Sequence, residues 1–148
     1  MRTSLRPVWR RPKDQRGATL VEFAFILPIF VLFVFGVIDF GWAFAQNLDV
    51  KQTAREGARL AVVDGGTTPG MDCPTLKSAI KGRINDLNPA VATVSLTRTG
   101  ANIGDTATIT VSYPLTSLSG VSNKFLSGTM TSTVKMRMER AATWATPC

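Results

Sequence analysis

Histidine is absent from this 148-residue chain, and cysteine occurs only twice. The lack of His removes the commonest side-chain acid–base group and metal ligand. Cys73 and Cys148 stand too far apart in sequence for a zinc-ligand spacing. No Ser, Cys or Lys sits in a pattern that supplies a nucleophile with a base. Gly65 and Gly66 follow a helical pattern instead of preceding one, so they form no phosphate cradle. The sequence therefore offers no catalytic set and calls for no metal or cofactor. Acidic residues are also scarce, at 10 against 17 Lys and Arg. The excess is not spread evenly: Arg2, Arg6, Arg10, Arg11, Lys13 and Arg16 stand against Asp14 alone, a local net of +5. The remaining 11 basic and 9 acidic residues leave only +2. A nucleic-acid surface needs a basic stripe on the folded part, so nucleic acid is excluded as the expected partner.

What the chain does have is an apolar run at 16–44, RGATLVEFAFILPIFVLFVFGVIDFGWAF. Residues 23–38 carry no charge, and 18–38 reach the roughly 20 residues needed to cross a hydrocarbon core if Glu22 is tolerated. The basic residues before it predict a cytoplasmic N-terminus and an outward-facing remainder. Three readings compete for the run. A secretory signal peptide would have a shorter core with a small-x-small cleavage site after it; Gly41, Ala43 and Ala45 are present, but the run is long. A permanent signal anchor asks nothing special of Glu22. The third reading gives Glu22 a role. A carboxylate on a membrane helix costs about 2.5 kcal/mol or more at the bilayer centre and less near the interface, and the helix dipole favours it in the first turns.

Gly17-Ala-Thr-Leu-Val-Glu22-Phe23 resembles the prepilin peptidase site of type IV pilin-like proteins. The resemblance implies cleavage after Gly17, with Ala18 as the new N-terminus. The stretch 16–62 is similar to the TadE-like family of the tight-adherence (Flp) pilus system. The matching features are the Arg-Gly-Ala opening, Val-Glu-Phe-Ala around Glu22, the Pro28 break, the group Phe35, Gly36, Asp39, Phe40 and Gly41, and AREGAR at 54–59. Membership would imply a minor pilin or pseudopilin in the bacterial inner membrane, acting in pilus assembly for adhesion. Its partners would be membrane lipid, the prepilin peptidase, other pilins and pilus assembly proteins. An amine on Ala18 would lie beside Glu22, or meet the Glu22 of a neighbouring subunit. The alternative is an unprocessed single-pass protein presenting a small binding domain. Gly36 and Gly41 thin the helix for close packing, Pro28 breaks its hydrogen bonding, and Asp39 marks the outer boundary beside Trp42.

Past residue 44 the pattern continues as an outer helix to about residue 64. Leu48, Ala54, Ala58, Ala61 and Val62 recur at helical spacing, and Asp64-Gly65-Gly66 is a stop signal. Arg55, Glu56 and Arg59 read either as ions for subunit packing or as a solvated face. A second, short helix is expected over 75–87, capped by Thr75, with Leu76, Ile80, Ile84 and Leu87 on one face. Strands follow at 91–98, 107–114 and 130–140. Their inward sets are Ala92, Val94 and Leu96; Ala107, Ile109, Val111 and Tyr113; and Met130, Val134, Met136 and Met138. Val121, Phe125 and Leu126 form an apolar patch in the intervening loop. On the oxidising side of a membrane Cys73 and Cys148 are expected to pair; otherwise they are two free thiols. The expected fold is α+β and pilin-like: a basic leader (1–17), a transmembrane helix (18–44), its extracytoplasmic extension (45–64), and a small domain (65–148) of antiparallel sheet with one short helix.

Overall fold

A computed structural model describes residues 16–63, 72–120 and 127–148 of the chain. The basic leader, the stop at Asp64-Gly65-Gly66 and the patch at Val121, Phe125 and Leu126 lie outside the described residues. Helix α1 (Arg16–Val63) is followed by α2 (Cys73–Lys81), β1 (Thr93–Arg98), β2 (Thr106–Pro114) and β3 (Thr129–Arg137). This is the α+β arrangement expected from the sequence. The chain forms two compact units divided between Phe35 and Gly36, inside α1.

The first unit is helix alone among the described residues. Every large apolar side chain from position 20 to 35 is exposed, including Phe23, Phe25, Phe30 and Phe33. Soluble monomers rarely expose a contiguous apolar surface of this kind. A helix is suited to lipid because its backbone groups are satisfied internally. Pro28 sits within the helix, as a membrane helix tolerates.

In the second unit α1 acquires a buried face. Asp39, Gln46, Asp49, Val50, Thr53, Ala54, Ala58, Ala61 and Val62 are buried, at intervals that keep one side of a 3.6-residue helix inward. Leu48, expected on that side, is exposed. Six residues separate it from Ala54, which turns it to the opposite side; Val50, one turn before Ala54, takes the place instead.

The sheet has the order β1-β2-β3, antiparallel throughout, with Leu96 opposite Ile109 and Ile109 opposite Val134. The alternation in the sequence sets the faces. Val94, Leu96, Ala107, Ile109, Val111 and Tyr113 join the buried apolar residues of α1 (Val50, Ala54, Ala58, Ala61 and Val62), Leu76 and Ile80 of α2, and Trp144 in one core. Met130, Val134 and Met136 of the edge strand β3 pack against that core half-buried. The outer face is hydroxyl-rich, with Thr110 paired to Thr133 and Ser112 to Thr131 across the strands, each pair at 3.1 Å.

Helix α2 starts earlier and ends sooner than its apolar spacing predicts. Its N-cap is Asp72, not Thr75: the Asp72 carboxylate accepts the Thr75 amide at 3.0 Å, and hydrogen bonding from the Thr75 side chain, and then from that amide, holds the Asp72 carboxyl below its ordinary value of 3.8. Pro74 then falls in the first turn, where its fixed φ favours initiation. Gly82 closes the helix, so Ile84 and Leu87 reach the core from turns.

Gly57 is where α2 meets α1. A Cβ at position 57 would lie 2.9 Å from Ile80 Cγ2 and 3.2 Å from its Cγ1. Ala gains about 1 kcal/mol of helix propensity over Gly, while overpacking costs about 1–3 kcal/mol. Gly57→Ala is therefore expected to lower the denaturation midpoint of the full-length protein. In an Ile80→Ala background, where the clash is gone, the same change should become neutral or stabilising. Equal effects in both backgrounds would show that Ile80 does not set the requirement for glycine.

Candidate functional site

The residues singled out by the sequence lie at four stations along the chain. The first is the start of α1. Gly17, Ala18, Glu22 and Phe23 are all helical and exposed. A Cβ on Gly17 would meet nothing within 4 Å, so packing does not require glycine there. Glu22 makes no ion pair among the described residues. In lipid its one-turn offset from Ala18 is the feature with chemical meaning, because residues four apart on a helix face each other.

The second station is Asp39, the first charged residue after the uncharged stretch 23–38. Although it borders fifteen exposed apolar side chains at positions 20–38, Asp39 is only 1 % exposed. Its Oδ1 accepts the amides of Leu118 at 3.1 Å and Ser119 at 2.8 Å, and its Oδ2 accepts the Ser119 hydroxyl. Two turns further on, Gln46 grips the same loop. Its Nε2 donates to the Thr116 carbonyl at 2.8 Å and to Thr116 Oγ1 at 3.2 Å, and its Oε1 accepts the Thr116 amide at 3.4 Å. Asp49 adds a third contact, accepting the Asp86 amide at 3.2 Å. The polar residues on the inner side of α1 thus hold loops. Gly36 and Gly41, by contrast, face open space, where a Cβ would touch nothing within 4 Å. The neighbouring Val37, Phe40 and Phe44 are exposed as well, so this part of α1 keeps a bare apolar surface beside its inward-turned polar residues.

The third station is AREGAR. Ala54, Gly57 and Ala58 are buried, while Arg55 and Arg59 are exposed. Glu56 receives a hydrogen bond from Gln52 at 3.2 Å and an ion pair from Arg83 at 3.5 Å. Glu56, Arg59, Leu60, Val63 and Arg83 line an open surface pocket of about 430 Å³. The ion pair is solvent-exposed, so its contribution is below about 1 kcal/mol. The motif therefore has two layers: small residues that let α2 approach, and a charged rim.

The fourth is the pair Cys73–Cys148, which is a disulfide with Cα atoms 5.7 Å apart. Cys148 also pairs with β1 through its backbone: its amide donates to the Leu96 carbonyl at 2.9 Å, and the Leu96 amide donates to its carbonyl at 3.1 Å. The tail is fixed a second time by Trp144, which is buried with the Arg98 guanidinium 5.2 Å from its ring centroid; Arg98 Nη1 also donates to the Ala142 carbonyl at 3.0 Å. Sequence reasoning missed Gln46, Ser119 and Trp144. A polar residue seven positions after Asp39, on the same helix side, was the available signal for Gln46. Trp144 lies in a tail with no periodicity.

Among the described residues, no group of three or more His, Cys, Asp or Glu is placed to hold a metal ion. Among the described residues one helix is long and apolar enough to cross a membrane. Compared with known families, residues 17–59 match the model described as TadE-like protein. The match begins at Gly17 and takes in Glu22, Pro28, Asp39 and AREGAR. No curated protein and no solved structure matches the chain.

Proposed function

We propose, from a helix whose residues 17–59 match the TadE-like family, that this protein is a membrane-anchored minor pilin or pseudopilin of a Tad/Flp-type pilus. The family match carries the reading, and the unbroken helix from Arg16 to Val63 with its fully exposed apolar first half supports it. The basic leader stays in the cytoplasm by the positive-inside rule, and the sheet domain lies on the outer side of the inner membrane. A prepilin peptidase cuts after Gly17 and leaves an amine on Ala18, one turn from Glu22. In the membrane that amine and the Glu22 carboxylate, its own or a neighbour's, neutralise each other and fix the axial register of packed helices. The role in pilus assembly and adhesion is structural and non-catalytic, with lipid, the peptidase and other pilins as partners.

One observation favours the second reading, an unprocessed anchor that presents a binding domain. The bond from Gly17 to Ala18 lies within the first turn of α1, whereas peptidases act on extended chain. N-terminal sequencing of protein extracted from membranes after coexpression with the cognate peptidase separates the two. A terminus at Ala18 is expected, together with loss of fibre assembly in Glu22→Gln. An intact leader, with assembly undisturbed by that substitution, would remove the pilin reading.

A further inference from the structure

We infer that the connection after β2, residues 115–120, rests on the outer leaflet of the bilayer, with Leu118 as a second, lipid-facing anchor. The inference rests on the reading of α1 as membrane-spanning. Asp39 closes the uncharged stretch 23–38, so its backbone lies near the outer end of the membrane-spanning part of α1. The Leu118 and Ser119 amides bond directly to its carboxylate, and Gln46 fixes Thr116 two turns further out. The depth of the loop is therefore set by the helix. Leu118 has its amide tied to a buried carboxylate, yet its side chain is 61 % exposed. Such a side chain gains nothing from water. At the same level of α1, Val37, Ile38 and Phe40 are also exposed.

The composition of the loop fits the same occupant. Leu-Thr-Ser-Leu-Ser-Gly carries no charge, and its backbone and hydroxyl groups are partly satisfied inside the protein: Gly120 donates to Ser117 Oγ at 3.0 Å and Leu115 to the Gly128 carbonyl at 2.9 Å. Entry into the headgroup region then leaves few unpaired polar groups. At the other end of β2, Ile103 is equally bare, at 72 % exposed. Nine strand residues separate the two ends, about 30 Å at 3.3 Å per residue, so with β2 rising from the membrane Ile103 stands clear of it and serves as the control.

The test uses full-length protein with its disulfide intact, in lipid nanodiscs containing no other protein. A fluorophore is placed in turn through Leu118→Cys, Ile103→Cys and Phe30→Cys, and quenching is read with nitroxide on the lipid headgroup or along the acyl chain. The expected result is acyl-chain quenching at position 30, and headgroup quenching at 118 clearly stronger than at 103. If 30 is quenched but 118 behaves like 103, the loop faces water or awaits a protein partner, and the inference fails while the span stands. If 118 and 103 are both strongly quenched, the domain lies flat on the membrane and the inference fails. Absence of quenching at 30 removes the span and the inference with it.

Discussion

Reduction of the disulfide, or Cys73→Ser, is expected to lower the stability of the domain by about 4 kcal/mol, the largest single loss in this protein. The bond joins residues 75 apart in sequence. Constraining a loop of that length in the unfolded chain is worth about 4.5 kcal/mol in the entropy model, before any native strain. The loss matters because the fold has little in reserve. Stability scales at about 0.05–0.15 kcal/mol per residue, so the unit Gly36–Cys148 keeps about 6–17 kcal/mol in total. The location adds to the effect. Cys148 pairs with Leu96 on the outer edge of β1, and Trp144 fills the core just before it. Freeing the tail uncovers both. The measurement is denaturant unfolding of the full-length protein in detergent, oxidised and reduced, with amide exchange read at Leu96 and Cys148. Coincident unfolding curves would mean that the tail is held by Trp144 and the backbone pair alone.

Asp39→Ala carries the second-largest expected loss, about 3 kcal/mol, since hydrogen bonds to a charged acceptor are worth about 1.5–3 kcal/mol each and do not add fully. The buried carboxylate takes two amides and one hydroxyl from the loop. Removing it takes away those bonds and frees the loop to lift into solvent. Amide exchange at Leu118 and Ser119 should then accelerate by about a hundredfold, as expected for local opening of that free energy. Insertion into the membrane should be unimpaired or improved, because alanine is cheaper than aspartate beside lipid. Asp39→Asn keeps one acceptor oxygen and should fall between the two. Unchanged exchange at both amides in the alanine variant would show that Gln46 alone holds the loop.

The two losses separate what composition reveals from what it hides. Two cysteines beyond a membrane span suggest a bond by their number and compartment alone. A lone aspartate at the end of an apolar run suggests only a boundary. Its partners are 79 and 80 residues away, in a loop of threonine, serine and leucine with no periodicity. The same holds for Gln46, whose partner is 70 residues distant. AREGAR was legible as a charged motif, yet its buried half depends on Ile80, which no local pattern connects to Gly57. The early start of α2 was readable in principle, because Asp72 two residues before Pro74 is a cap-and-proline signal; the Thr75 cap competed with it.

The sequence by itself determined the apolar span, its basic flank, the two-residue alternation of three strands and hence the inward sets around Ile109. Those features follow from side-chain hydropathy and backbone period, which act within a few residues. Tertiary structure alone decided that Asp39 and Gln46 turn inward to hold the loop after β2, that Gly57 admits α2, and that the chain ends as a pairing partner of β1. Each of these joins residues far apart in the chain. A buried polar group must find a hydrogen-bond partner wherever the fold supplies one, and no local pattern names that partner in advance.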